Sequence, residues 1–169
     1  MSILAIVALA LAGAIIWRGF LGYAAPTRPY KFLSPRDVAV FRAAAQATFP
    51  KGGEVSPSYA EARVVEYCDG YVGWLAPSQR TLIKLLLILF EHATLLFVPS
   101  FRRMSSLPLD EQVKYLDGWD QSPLYLRRMA FQSIRAILCM AYLADDEVNR
   151  QIGNRRHESC AANAVGVRP

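Results

Sequence analysis

Few side chains in this sequence are of the types that do chemistry, and those few are scattered. The sharpest pair is Glu91-His92, set in the middle of an apolar stretch. A histidine beside a carboxylate in a low-dielectric setting suits a general base or a metal ligand. Without a third group to orient it, the same histidine is an ordinary core residue bonded to a backbone carbonyl. Asp145-Asp146-Glu147 offers carboxylate oxygens to a hard cation, but further ligands would have to come from elsewhere. Acids at a helix start also answer to the helix dipole. Gly52-Gly53 lacks the Gly-Lys-Ser/Thr ending and the preceding strand of a phosphate loop, and Gly70-Tyr71-Val72-Gly73 is no dinucleotide fingerprint for the same reason. Cys68, Cys139 and Cys160 stand too far apart for a CxxC, and two histidines, His92 and His157, are too few for a zinc site. An odd number of cysteines leaves at least one thiol free or paired with another chain. Three buried or tail thiols, and one disulfide plus a leftover, are both open. The inventory therefore predicts no catalytic, cofactor-binding or metal-ligating residue. The alternative is a free-standing, helical, membrane-associated enzyme or ligand-binding protein with a pocket around Glu91 and His92.

Composition points to a membrane instead. Apolar residues make up 53% of the 169, and they concentrate in Ile3–Trp17 and Leu82–Val98. Ile3–Trp17 is fifteen residues without a charge; with Gly19–Ala25 after Arg18 it reaches the length of a spanning helix, roughly 20 residues. Trp17 and Arg18 are then the membrane-interface pair, the indole at headgroup level and the guanidinium snorkelling. A cleaved signal peptide is the rival. Gly22-Tyr23-Ala24 would serve as its cleavage site, but no basic residue precedes Ile3. The nearest basics, Arg18, Arg28 and Lys31, all follow the apolar run, so the positive-inside rule puts the bulk of the chain on the cytoplasmic side. The net charge of +5 comes without a basic stripe interleaved with aromatics, which argues against nucleic acid. Near a membrane it meets anionic lipid, at about 1 kcal/mol per basic residue close to the surface.

The remainder predicts an all-α fold: a compact bundle of about five to six helices over residues 34–153, behind an anchor (1–25) and a short stalk (26–33), and ahead of a flexible tail (154–169). Ser34-Pro35-Arg36-Asp37 has capping-box spacing with proline at the first helical position, and Val38, Phe41, Ala45 and Thr48 follow at helical intervals. A second helix is expected from Pro57 or Ser58 to Trp74, again with a capping pair, Ser58 and Glu61. Ser78–Val98 is apolar nearly all round, which means a central core helix or a membrane span. Lys84, Glu91 and His92 favour the core, because a charge at a bilayer centre costs a few kcal/mol. Pro108–Trp119 and a long helix from Ser122-Pro123 complete the set, with Val113, Leu116 and Trp119, then Leu126, Met129, Ala130, Ile134, Ile137, Leu138 and Ala141, facing inward. Asp145 ends the long helix or caps a short turn closed by Gly153. The aromatics from Tyr59 to Phe101 fall at helical spacings and read as core or as a partner surface.

Two strings resemble the gluconate 2-dehydrogenase subunit 3 family. The first is Phe32-Leu33-Ser34-Pro35-Arg36-Asp37 with its helix closing at Phe49-Pro50. The second is Leu116-Asp117-Gly118-Trp119-Asp120-Gln121-Ser122, then Leu126-Arg127-Arg128, Phe131, Arg135, Ala141-Tyr142, Asp146-Glu147-Val148 and Ile152-Gly153. The resemblance spans about residues 32–153. It implies a small accessory subunit that binds and escorts a flavin-dependent dehydrogenase of the glucose-methanol-choline type, with FAD held by that large subunit. It implies no catalytic residue here. Trp and Arg are the residue types that most often anchor an interface, so Trp119, Arg127 and Arg128 are the expected partner contacts.

Overall fold

The computed structural model describes residue 13, residues 22–97 and residues 102–153. Trp17, Arg18, His157, Cys160, the apolar run up to Leu21 apart from Gly13, and the tail lie outside the described residues. What is described is all-helical: α1 (Pro35–Thr48), α2 (Val64–Trp74), α3 (Pro77–His92), α4 (Thr94–Phe97), a 3-10 turn (Met104–Ser106), α5 (Leu109–Asp120) and α6 (Tyr125–Leu143). Residues 146–153 add a last helical segment, which Asp145 caps by accepting from the Glu147 and Val148 amides. Among the described residues, no helix is long and apolar enough to cross a membrane.

Each helix start has a local cause. Ser34 and Asp37 form the expected capping box: the Asp37 amide donates to Ser34 Oγ at 3.3 Å and the Ser34 amide to Asp37 Oδ2 at 3.0 Å. Two of the donors orphaned at a helix N-terminus are thereby satisfied, and Pro35 has no N–H to waste. Ser58 and Glu61 also pair, with the Ser58 hydroxyl and amide both donating to Glu61 Oε2. That pair caps only a turn. Arg63 adopts a left-handed φ of 49°, so the regular helix restarts at Val64 rather than running from Ser58.

The centre of the bundle is α1, not the leucine-rich α3. α1 packs against α2, α3, α5 and the 3-10 turn, while α6 covers α2 and α5. Ala43, Ala44 and Ala45 are buried beside Val38, Val40 and Phe41. Small side chains let neighbours approach from several sides, which suits a helix surrounded by others. α3 buries only Leu87, Phe90 and Glu91; Leu82, Leu85 and Leu89, all expected inside, face outward. Val113, Leu126 and Met129 are likewise exposed, against expectation.

The stalk also differs from its expected form. Residues 22–33 are a strap laid on the bundle. Leu33 is buried, and Tyr30 and Phe32 pack against the core. The Asp69 carboxylate accepts three successive backbone N–H groups, from Lys31 at 3.0 Å, Phe32 at 2.8 Å and Leu33 at 2.9 Å. The Phe32 ring lies on Gly73, where an added Cβ would come within 2.3 Å of it, and the Arg80 guanidinium sits 5.0 Å from the same ring. Gly73 is thus a seat for an aromatic ring, which explains a glycine in the last turn of α2. Gly22 has a positive φ of 80°, a conformation that cannot continue a helix, so a span drawn through to Ala25 is too long.

Candidate docking surface

The expected partner contacts cluster, but in a different arrangement. Trp119 is 1% exposed and belongs to the aromatic core, 4.9 Å from Phe90 and 5.9 Å from Tyr115 between ring centroids. It supports the surface from below and is not a protruding anchor. Arg127 lies over the Trp119 ring at 5.0 Å and is half-buried. Burial there pulls its guanidinium below the ordinary arginine value. Arg128 donates through Nη1 to the Ser122 carbonyl at 2.6 Å, fixing the turn that starts α6. The two adjacent arginines therefore split their roles: Arg127 closes the aromatic core and Arg128 caps a loop.

Together with Arg127 and Trp119, Leu89, Leu96, Leu124, Tyr125, Leu126 and Ala130 line a groove of about 340 Å³ between α3–α4 and the start of α6. Its α6 wall is the exposed side: Leu124 and Tyr125 are more than half exposed, and Leu126 is 80% exposed. Across the groove the apolar surface continues onto α3, where Leu82, Leu85 and Leu89 share one helix face, and onto α4 through Leu95 and Leu96. Fully burying one leucine gains about 1.5–3 kcal/mol, so a row of them left in water forgoes more than most surface contacts could return. Contiguous apolar patches of this kind on a small bundle mark a surface that something covers. Sequence periodicity identified these leucines as one side of a helix but carried no sign of what lies against it.

Glu91 and His92, the pair on which the enzymatic or ligand-binding alternative turns, sit in different surroundings. Glu91 is fully buried, and both its oxygens are engaged by the scaffold. Tyr23 donates its hydroxyl to Oε1 at 3.0 Å, Ser105 its hydroxyl to Oε1 at 2.5 Å, and Ser105 its amide to Oε2 at 3.0 Å. Burial pushes this carboxyl above the ordinary glutamate value, against the opposing pull of the donated hydrogen bonds and of Arg103. Arg103 also lies over the Tyr23 ring at 4.3 Å. Glu91 is thus the clasp that holds the front of the strap to the end of α3. His92 is half-buried, and the docking groove takes its lining from other residues.

A second apolar groove, about 500 Å³, opens between the end of α1 and the end of α6, lined by Phe49, Val55, Cys139, Tyr142, Leu143 and Ile152 among others. The Phe49 and Tyr142 rings stack in it at 4.0 Å, and the Tyr142 hydroxyl is spent on the Pro57 carbonyl. Among the described residues, Cys68 and Cys139 are both free thiols; burial pushes the Cys68 thiol up to about 12. Among the described residues, no group of three His, Cys, Asp or Glu side chains is placed to hold a metal ion. No family model matches the sequence, and comparison with curated proteins and with solved structures finds no similar chain.

Proposed function

We propose that this chain is a non-catalytic accessory subunit, associated with a membrane, that docks and stabilises a flavin-dependent dehydrogenase of the glucose-methanol-choline type. The observation that carries the reading is the groove at the start of α6. Leu124, Tyr125 and Leu126 stand out in water beside it, and Arg127 is stacked on Trp119 to form its floor. An aromatic and arginine floor under an apolar rim is the composition favoured at the centre of protein interfaces. Trp119, Leu126 and Arg127 also belong to the longer string, Leu116–Gly153, that resembles the small subunits of such dehydrogenases. In this reading FAD and the chemistry belong to the large subunit, and the apolar N-terminal run tethers the pair to the bilayer.

Co-expression with a flavin dehydrogenase encoded beside it, followed by purification from a detergent extract, tests the reading. The complex should carry flavin absorbance that the single chain lacks. Leu126→Asp should weaken the complex by about thirtyfold or more, the effect of losing a buried anchor worth about 2 kcal/mol. A single purified chain that holds flavin and reduces a dye overturns the proposal.

A further inference from the structure

Part of the apolar surface, Leu82 and Leu85 of α3 with Leu95 of α4, lies outside the groove and runs into its edge at Leu89 and Leu96. We infer that this stripe, Leu82, Leu85 and Leu89 continued by Leu95 and Leu96 of α4, rests on the bilayer, so that α3 lies along the membrane as an in-plane amphipathic helix. The inference rests on the reading of the N-terminal run as a membrane segment, and adds which face of the bundle that segment brings down.

Three observations carry it. The first is reach. Tyr23 is clasped to Glu91 and covered by Arg103, at the C-terminal end of α3. Trp17, the last residue of the charge-free run, is six residues earlier. Six residues span at most about 20 Å, so a run held in lipid keeps this end of α3 at the surface. Leu89, Leu95 and Leu96 are the exposed apolar residues flanking that clasp in sequence.

The second is charge. Between Asp69 and Asp110 the sequence contains one acid, Glu91, and it is buried. The cations of the same stretch are Arg80, Lys84, Arg102 and Arg103. Arg80 is committed to the carbonyls that end α2, at 3.1 Å from Val72 O and 2.9 Å from Gly73 O. Arg103 lies over Tyr23, and with the single acid buried the stretch that carries the stripe has a positive balance, which suits anionic headgroups and disfavours a second copy of the same face.

The third is the far end. α3 is sixteen residues, about 24 Å long. Trp74, just before it, is 93% exposed, and tryptophan is the side chain that gathers at membrane–water interfaces. With the stripe down, an interface aromatic stands at one end and the strap at the other. A helix lying so buries its apolar face about 5–10 Å into the headgroup–acyl boundary. The groove, whose near edge is Leu89 and Leu96, then opens at the membrane surface.

The test uses the full chain with Cys139 and Cys160 replaced by serine and one cysteine introduced at a time: Leu85→Cys, Leu89→Cys, or Asp146→Cys as control. Asp146 is exposed just past the far end of α6, roughly 28 Å along that helix from Tyr125. Each carries an environment-sensitive fluorophore. The protein is reconstituted in phosphatidylcholine–phosphatidylglycerol vesicles containing lipid with a nitroxide on the upper acyl chain. Labels at residues 85 and 89 should lose about half or more of their emission, and the label at 146 less than about a tenth. Protein that floats with the vesicles while residues 85 and 89 stay as bright as 146 overturns the inference and leaves the anchor reading intact. Equal quenching at all three positions overturns it too, as does a shielded, unquenched stripe that proves to be covered by a second chain. Protein that fails to float with vesicles removes the anchor reading, and the inference with it.

Discussion

At the scale of single residues, the informative side chains are those that fasten one stretch of backbone to another. Asp69 and Glu91 are both carboxylates turned inward to bind the strap, and neither has a local sequence signal, because their donors lie 36 to 38 and 68 residues away. Gly73 is legible only once Phe32 is seen on it. Replacing it by alanine should raise helix propensity, a gain of about 0.5–1 kcal/mol. The same Cβ would meet the Phe32 ring at 2.3 Å, and overpacking costs about 1–3 kcal/mol. Gly73→Ala is therefore expected to lower the melting temperature, and a variant as stable as the parent would mean that the strap moves aside freely. Glu91 supplies a prediction in pH. Its carboxyl titrates above the ordinary value in the folded chain, so folding favours the protonated form. That contribution is full below the ordinary glutamate range and is lost as pH rises through the raised folded value. Compared with Glu91→Gln, which does not titrate, the parent should gain relative stability as pH falls from neutrality toward the ordinary glutamate range. Parallel melting curves across that range would remove Glu91 as the cause.

At the scale of elements, capped and punctuated helices were readable because their rules are local. Ser34, Pro35 and Asp37 announce α1, Pro77 opens α3, and the inward stripe Ile134, Ile137, Leu138 and Ala141 of α6 is buried as its spacing suggests. The misreadings have a common origin. Periodicity reports that a face is apolar, not that the fold covers it, so α3 was expected at the centre and lies at the side. The start of α2 was misplaced because nothing in Arg63 advertises a left-handed backbone. The corrected packing changes what truncations should do. Leu87→Ala or Phe90→Ala should cost about 2–5 kcal/mol, since both side chains are fully buried. Leu82→Ala or Leu85→Ala should stay within about 0.5 kcal/mol in detergent, as surface changes do. Equal losses at the four positions, measured by thermal melting, would restore α3 to the core.

At the scale of the whole molecule, the bundle has an Ala-rich hub, one apolar groove at the start of α6 and a leucine stripe beside it, and the strap begins at the end of α3, where Tyr23 is clasped to Glu91. The membrane reading of the N-terminal run predicts that a chain beginning at Gly22 keeps its melting temperature within a few degrees but leaves the membrane fraction. Continued sedimentation of that chain with membranes, aggregation excluded, would assign attachment to the stripe alone. The candidate surface is less legible in the sequence than the fold. Trp119 and Arg127 were identified by residue type, but their stacking, and the exposed Leu124–Leu126 rim that makes them a floor, depend on how α5 meets α6.

The strap has a consequence in the order of synthesis. Tyr23 leaves the ribosome early, but its clasp, Glu91, is made 68 residues later, an interval of about 3–14 s at ordinary translation rates. Asp69, which holds the other end of the strap, comes about two-thirds of the way through that wait. The strap therefore stays free of its front clasp until α3 is nearly complete, and on the membrane reading the N-terminal run has that interval in which to meet lipid. On the membrane reading, the last clasp closes with the end of α3 already beside the bilayer, so the orientation of the domain would be set while it is being made.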